Sequence, residues 1–214
     1  MKTCLKTICI FLSAMFLSAC GKEEYTYPVL ITEMTCLTTD SDGFGIQIIT
    51  DQGKAWNLLE ENRPDSLTAD STYRVVCRYA PINETEAEAY AFAKVIAPLP
   101  KPAWEYETIC TDPVSIQSIW RSGDYLNMIL PIKVKDKEHE LSFADHGITS
   151  NEDGTKTLTL TLFHDRKGDM EGFYQKSYLS VPLTHYEGKL NKGDQIVFRL
   201  NTYKEGMTQR TFTY

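Results

Sequence analysis

Cys20 is the residue of this sequence whose type and setting point most directly to a chemical reaction. Its thiol is a nucleophile, and it follows two small residues, Ser18 and Ala19, at the end of the one long apolar run. Small side chains let an extended backbone enter a peptidase cleft, and a thiol at that point can take up a diacylglycerol through a thioether bond. The chemistry that this pattern predicts is lipid attachment at Cys20.

The segment before Cys20 is organised as a secretory signal. Lys2 and Lys6 form a short basic region ahead of a 12-residue apolar core. A helix of that length rises about 18 Å, against roughly 30 Å of bilayer hydrocarbon, so we predict a cleaved signal peptide over residues 1–19. Leu17-Ser18-Ala19-Cys20 resembles a bacterial lipobox, the alternative being an ordinary signal with an incidental cysteine. Two or three acyl chains, palmitate among them, would anchor the chain to a membrane permanently.

The residues that follow Cys20 form a charged tether over residues 20–27. Lys22, Glu23 and Glu24 resemble the surface-export signal of Bacteroidota lipoproteins. We therefore expect an outer-membrane lipoprotein displayed on the cell surface. The alternatives are a plain solvated tether and a location in the periplasmic leaflet.

The remaining polar residues do not form a recognisable catalytic motif. The four histidines make neither an HExxH nor an HxH pattern, and we expect them to be satisfied residues at the core rim; a metal site of His146 with Asp145 and His164 is the alternative. No nucleophile elbow, calcium loop or glycine-rich phosphate loop occurs. The sequence thus predicts no enzyme, no catalytic residue, no metal and no cofactor.

Aromatic residues and serines supply the candidates for binding and modification. Trp56, on a strand of the predicted first domain, could stack against a sugar, although a core or interdomain role is the alternative. Trp120 is expected to be mostly buried and to hold the turn before Tyr125. Ser66 and Ser71 each follow an aspartate in a polar stretch and resemble O-glycosylation acceptors of exported Bacteroidota proteins.

Charge and cysteine content narrow the classes of partner. The signal carries two of the 22 Lys and Arg residues and none of the 29 acids, so the chain from Cys20 onward has a net charge of −9. An acidic chain lacks the cations that neutralise phosphates, so we expect no nucleic-acid partner. Cys36, Cys77 and Cys110 are predicted to be free, buried thiols, with a Cys36–Cys77 disulfide as the alternative.

The elements that must position these residues are all predicted to be strands. Residues 28–98 contain five short strands with the longest loop between the third and the fourth, which predicts a small OB-like barrel. Pro98, Pro100 and Pro102 then break the pattern, and we place a proline-rich linker at residues 99–105. Residues 106–214 show about seven further alternating strands with regular turns, which predicts an antiparallel β-sandwich.

The chain resembles the NigD-like lipoprotein family. The resemblance rests on the order of lipobox, OB-like domain, proline linker and sandwich, and on a local pattern that opens the second domain: Asp112-Pro113-Val114-Ser115-Ile116, then Ile119-Trp120, then Gly123-Asp124-Tyr125-Leu126-Asn127. It covers nearly the whole chain after Cys20, and its motifs are not catalytic. The family takes its name from a bacteriocin gene cluster, so the resemblance implies architecture and location rather than a mechanism.

These observations lead to one expected function and two alternatives. We expect a non-enzymatic outer-membrane lipoprotein of binding or interaction type, held to the membrane by its lipid, whose ligand is a protein or a glycan. The first alternative, which follows from the family name alone, is an immunity or accessory protein of a bacteriocin or toxin locus. The second is an unrecognised hydrolase.

Overall fold

The first domain is a closed five-stranded barrel. The computed structural model describes residues 28–214, so the signal peptide, Cys20 and the Lys22-Glu23-Glu24 motif lie outside the described residues. The strands pair in the order β1-β2-β3-β5-β4, and β4 closes onto β1. Their bounds are β1 Ile31–Thr39, β2 Gly45–Thr50, β3 Ala55–Leu58, β4 Thr72–Pro81 and β5 Glu86–Lys94.

The barrel is closed because each of its five strands pairs with two neighbours. The β3–β5 pair is parallel, and the other four pairs of neighbouring strands are antiparallel. The long connection between β3 and β4 allows β5 to return beside β3. Side chains that alternate inward fill the barrel. Its core residues are Leu37, Ile48, Leu58, Val75, Cys77, Tyr79, Ala87 and Ala89.

The second domain is a sandwich of two sheets, so the prediction of an all-β chain with a barrel followed by a sandwich is confirmed. One sheet has five strands in the order β13-β12-β10-β9-β6, and the other has three in the order β11-β8-β7. The strand bounds are β6 Lys101–Pro102, β7 Ser118–Ser122, β8 Tyr125–Val134, β9 Glu140–Ser150, β10 Lys156–Asp165, β11 Phe173–Pro182, β12 Gln195–Thr202 and β13 Gly206–Thr213.

The core of the sandwich follows from the alternation of apolar residues along its strands. Leu126, Met128 and Leu130 of β8 point into the sandwich, as do Leu158 and Leu160 of β10. Residues of the opposite parity point outward. This alternation turns Tyr125, Asn127 and Ile129 of β8 toward the barrel and makes the outer face of the three-stranded sheet a second packing surface.

Three details of the sandwich differ from the expectation. β10 and β12 run parallel, so the sheet is mixed rather than wholly antiparallel. β7, which carries Trp120, is a regular strand where a turn was expected. The proline segment contributes β6, which pairs with β9, and Ile96 bridges to Leu179 of β11. Within residues 28–214, no helix is long and apolar enough to cross a membrane.

Candidate functional site

A buried polar network joins the barrel to the sandwich. Arg74 on β4 and Asp51, in the turn after β2, form an ion pair of 2.7 Å, and each side chain is only 5% exposed. The Arg74 Nη2 group donates to Asn127 Oδ1 at 3.0 Å, and Asn127 Nδ2 donates to Asp51 Oδ2 at 2.8 Å. Ser180 on β11 completes the network because its hydroxyl donates to Asn127 Oδ1 at 2.6 Å and lies 3.3 Å from Arg74 Nε.

Tyr125 covers the guanidinium of Arg74 from the sandwich side. The Arg74 Cζ atom lies 3.8 Å from the centre of the Tyr125 ring, within the range of a cation–π contact. The Tyr125 hydroxyl lies 3.2 Å from the Cys36 Sγ atom of β1. Burial, with that thiol contact, raises the pKa of Tyr125 to about 12, so the phenol keeps its proton at any physiological pH. The cation is therefore enclosed by one carboxylate, one amide and one aromatic ring.

Gly123 explains why the turn between β7 and β8 can reach the barrel. Its φ is +53°, and a Cβ atom at this position would stand 2.3 Å from the carbonyl oxygen of Asp51. Only glycine fits this close approach in that backbone conformation. The Gly-Asp-Tyr-Leu-Asn stretch therefore docks the two domains: Gly123 allows backbone contact, while Tyr125 and Asn127 contact Arg74.

Beside this network the two domains leave a cleft of about 270 Å³. Trp120 and Tyr178 line it from the sandwich, and Met34 and Val76 line it from the barrel, with Gln52 at its rim. Small-molecule sites often lie at domain interfaces, but this volume is below the usual range for a drug-sized ligand. The cleft is thus a narrow recess that continues the domain junction.

Trp120 is half-buried, so the expectation that it would be mostly buried in a turn needs correction. It pairs with Asn127 across β7 and β8, which places its side chain on the outer face of the sheet beside the barrel. Ile119, next to it, packs against the sandwich core instead. Because successive residues of a strand point to opposite faces, the tryptophan of the signature lines the domain junction.

Trp56 is also half-buried, on β3 of the barrel. Its ring packs against the barrel core at 6.1 Å from the ring of Tyr79, and Lys54 Nζ lies 4.5 Å from its centre. The lysine thus covers ring surface that a sugar would need. Ligand stacking by Trp56 stays a prediction.

A wider groove opens at the far end of the sandwich, with a volume of about 550 Å³. Tyr174 of β11 and Tyr203 meet there at 89°, with ring centres 6.4 Å apart. Lys133 Nζ lies 4.6 Å from the Tyr203 ring and contacts Glu171 at 2.5 Å. Tyr174 is 57% exposed. The groove therefore presents an open aromatic corner beside a fixed ion pair.

Histidines and acids cluster only in part. His139 and His164 lie side by side with Asp169, whereas His146 bonds to Thr161 and Asp145 accepts from Tyr186. The metal alternative of His146, Asp145 and His164 is therefore not assembled. Within the part of the chain that the structure describes, no three His, Cys, Asp or Glu residues are arranged so that they could hold a metal ion.

The three cysteines of the described region are free. In the register of β1 with β4, Cys36 lies opposite Arg74, and Cys77 lies opposite Glu33. The two thiols therefore point to opposite faces of the barrel wall, and the alternative disulfide does not form. Burial raises the pKa of the Cys77 thiol to about 12, which leaves it an unreactive core residue. Cys36 is half-buried at the domain junction rather than in the core.

The two candidate glycosylation sites differ in their surroundings. Ser66 is exposed and has a positive φ of 56°. Ser71 is half-buried, and its hydroxyl donates to the Ala69 carbonyl at 2.9 Å. Modification of either serine stays a prediction, and Ser66 is the more accessible of the two.

Sequence reasoning missed the junction network because its members lie far apart in the chain. Asp51, Arg74, Asn127 and Ser180 come from four different segments, and only Asn127 belongs to the local pattern that carries the family resemblance. Two features of the sequence could have indicated the network. Arg74 is a charged residue on the outward face of a strand, and Asn127 is a polar residue between the core residues Leu126 and Met128. Neither signal identifies a partner without the tertiary structure.

Comparison with known proteins identifies the family. Residues 96–214 match the NigD-like C-terminal beta sandwich domain. A NigD-like immunity protein from Bacteroides caccae is 31% identical, with a TM-score of 0.72 over 89% of this chain and 99% of that one. Two other structures share the fold. One is a protein from Parabacteroides distasonis described as toxin-related, with 14% identity and a TM-score of 0.66 over 87% of this chain and 93% of that one. The other is a protein from Bacteroides fragilis described as a lipoprotein, with 12% identity and a TM-score of 0.57 over 87% of this chain and 97% of that one. No curated protein matches. With its sandwich matched in full and a relative similar over both domains, the chain belongs to the NigD-like family.

Proposed function

We propose that this chain is a lipid-anchored, non-enzymatic immunity protein that protects its own cell by binding an antibacterial toxin at the envelope. The observation that carries the proposal is the similarity to the Bacteroides caccae immunity protein, which extends over 89% of the chain. The buried polar groups support it, because the junction network and the histidine cluster bond internally. Such groups stabilise a rigid binding scaffold rather than supply an exposed nucleophile.

A protection assay tests the immunity function. The gene is deleted from the strain that naturally encodes it, and the deletion strain is exposed to the concentrated culture supernatant of its parent. We expect the deletion strain to be killed and a plasmid-borne copy of the gene to restore survival. Equal survival of parent and deletion strain would contradict the proposal.

The membrane anchor is proposed from the lipobox at Cys20, and the shared fold with a protein described as a lipoprotein is consistent with it. Replacing Cys20 by Ala removes the thiol that would carry the lipid. We expect the Cys20→Ala variant to move from the membrane fraction to the soluble fraction on cell fractionation. Cys36→Ala is the matched control and should stay with the membrane, whereas full retention of Cys20→Ala would refute the anchor.

Surface display is proposed from Lys22, Glu23 and Glu24. External protease added to intact cells should digest the wild type, while a variant with alanine at these three positions should be protected to a larger extent. A periplasmic protein of known location serves as the control for cell integrity. Equal protection of both forms would place the protein in the periplasmic leaflet.

Glycan binding is a second candidate function, favoured by the groove at Tyr174 and Tyr203. The exposed ring of Tyr174 can meet the C–H face of a sugar, whereas Lys133 covers part of the Tyr203 ring. A groove of about 550 Å³ accommodates a short oligosaccharide. A glycan array probed with the wild type and with Tyr174→Ala tests this candidate. Binding that is lost in Tyr174→Ala but kept in Trp104→Ala, a control with an 82% exposed ring, would support it; no binding by the wild type would remove it.

A further inference from the structure

Two buried imidazoles in the sandwich face each other across a short gap. His139 Nδ1 and His164 Nε2 are 2.9 Å apart, and the ring centres are 5.1 Å apart, so the rings meet edge to edge along the N···N line. The side chain of His139 is 3% exposed, and His164 as a whole is 1% exposed. The contact is therefore shielded from water, and the protons on the two rings can be counted from their partners.

The outer nitrogen of each ring faces a group that can only accept. His164 Nδ1 lies 2.9 Å from the carbonyl oxygen of Asp112, so this nitrogen must carry a hydrogen. His139 Nε2 lies 3.2 Å from Asp169 Oδ2. Asp169 is a carboxylate, because the backbone N–H groups of Lys135 and Asp136 donate to it and hold its pKa well below the usual range. His139 Nε2 must therefore carry a hydrogen as well.

The inner gap must then hold one cation. If both rings were neutral with their hydrogens on the outer nitrogens, two lone pairs would face each other at 2.9 Å, which is repulsive in a dry site. Two hydrogens in the gap would clash. We propose that His139 and His164 form a site for a single proton, so that the pair carries one positive charge opposite Asp169 and ties four chain segments together at this end of the sandwich.

The charged groups around the pair agree with a single positive charge. Three carboxyl groups face the pair: Asp165 at the end of β10, Asp169 in the turn after it, and Asp112 in the segment after the linker. Arg166 offsets part of this negative charge, because its Nε lies 3.3 Å from Asp112 Oδ1. Glu140 of β9 is nearby and contacts Lys167 at 3.3 Å. Cys110 is a neutral neighbour, since burial raises the pKa of its thiol.

The shared proton makes this region sensitive to pH in both directions. Unfolded histidines lose their protons as pH rises past about 6.5, whereas the folded pair still holds one, so the stability that the shared proton contributes begins to be lost at that pH and is gone once the folded pair has released the proton. A second proton is also resisted, because burial and the charge on His139 lower the pKa of His164. Stability is thus expected to be highest while the pair holds one proton.

The first test is a direct count of protons by ¹⁵N NMR on the purified full-length chain labelled at histidine. At pH 7 we expect three protonated nitrogens and one unprotonated nitrogen on the two rings. Two unprotonated nitrogens would overturn the proposal. So would one equivalent of tightly held metal that is found in the wild type and missing from His139→Gln.

The second test is the pH dependence of unfolding. For the wild type, the unfolding equilibrium constant should rise with pH by up to tenfold per pH unit above about pH 6.5, for as long as the folded pair keeps the shared proton that the unfolded chain has released. This rise should be absent in His139→Gln and unchanged in His185→Gln, the exposed control. The same rise in all three proteins would overturn the proposal. Should His139→Gln fail to fold, the proton count on the wild type still decides.

Discussion

Two buried carboxylates of the sandwich, those of Asp194 and Asp169, accept hydrogen bonds from backbone N–H groups. Asp194 is 4% exposed, and it accepts from the backbone of Lys156 at 2.8 Å and of Asn191 at 2.7 Å. These hydrogen bonds lower its pKa. Asp169 is held in the same manner by Lys135 and Asp136. The carboxylates thereby fix turns whose backbone would otherwise lack acceptors.

Asp194 should make the fold sensitive to acid. Because its pKa is lower in the folded state than in the unfolded chain, its contribution to stability is present above pH of about 4 and is lost as pH falls below that value. Asp194→Asn should cost about 1–3 kcal/mol at pH 7, since an amide cannot accept from both backbone groups. Urea unfolding between pH 7 and pH 2 measures both effects.

The control for this prediction is Asp42→Asn, at an exposed turn position. It should change the free energy of unfolding by no more than about 0.5 kcal/mol and leave the acid dependence intact. If Asp194→Asn loses as much stability between pH 7 and pH 2 as the wild type does, Asp194 does not contribute to the acid sensitivity.

At the scale of elements, the β7–β8 hairpin connects the family signature to the architecture. Its inward residues, such as Leu126 and Met128, fill the sandwich, while its outward residues, such as Asn127, contact the barrel. The same hairpin therefore belongs to two interfaces. This double use gives a physical reason for a pattern that contains glycine, aromatic and amide positions without any catalytic group.

Gly123→Ala should separate the two domains. The substitution adds about 1–2 kcal/mol of backbone strain at a positive φ and about 1–3 kcal/mol from the clash with the Asp51 carbonyl. Gly154→Ala is the matched control, since Gly154 also has a positive φ of +83° but has no atom within 4 Å of the added Cβ. Gly154→Ala should lose only the stability that corresponds to the backbone strain. Thermal unfolding of both variants measures the difference, and equal losses would show that the close approach is unimportant.

The sequence allowed most of the strands to be predicted, but not the parallel pairing within the sandwich or the contacts between the two domains. Alternation identified β4, β8, β10 and β12 because each has a buried face of apolar residues. The β7 strand was missed because it is short and has only half-buried and exposed residues. The parallel pairing of β10 with β12 depends on how the chain crosses between sheets, which a local pattern does not record. Contacts such as Arg74 with Asn127 depend in turn on that pairing.

At the scale of the whole molecule, the domain junction is more specific than the proline linker suggested. Domains joined by such a linker usually make modest contacts, but here a buried ion pair and several hydrogen bonds connect the two domains. The barrel has a core of eight buried residues, against nineteen in the sandwich. A small barrel of this kind gains stability from docking onto a larger neighbour.

The two domains should therefore unfold together in the wild type. Far-UV circular dichroism follows all strands, and the fluorescence of a Trp56→Phe variant follows Trp104 and Trp120 of the sandwich side. Coincident urea transitions by the two probes are expected, because loss of the junction exposes Asp51 and Arg74 only when both domains separate. The Trp56→Phe variant is then the background protein in which the coupling between the two domains is measured.

Arg74→Ala in that background should uncouple the domains. It leaves Asp51 buried without its cation, which typically costs about 3–5 kcal/mol, and the barrel should unfold at a lower urea concentration than the sandwich. Arg210→Ala is the control, because the Arg210–Glu205 pair is exposed on both sides and should contribute no more than about 1 kcal/mol. Coincident transitions in Arg74→Ala, at the midpoint of the background protein, would mean that shape and apolar contact rather than the ion pair couple the domains. Two separate transitions would show that one buried arginine makes the barrel and the sandwich a single cooperative unit, the state in which the proposed immunity protein would meet its toxin.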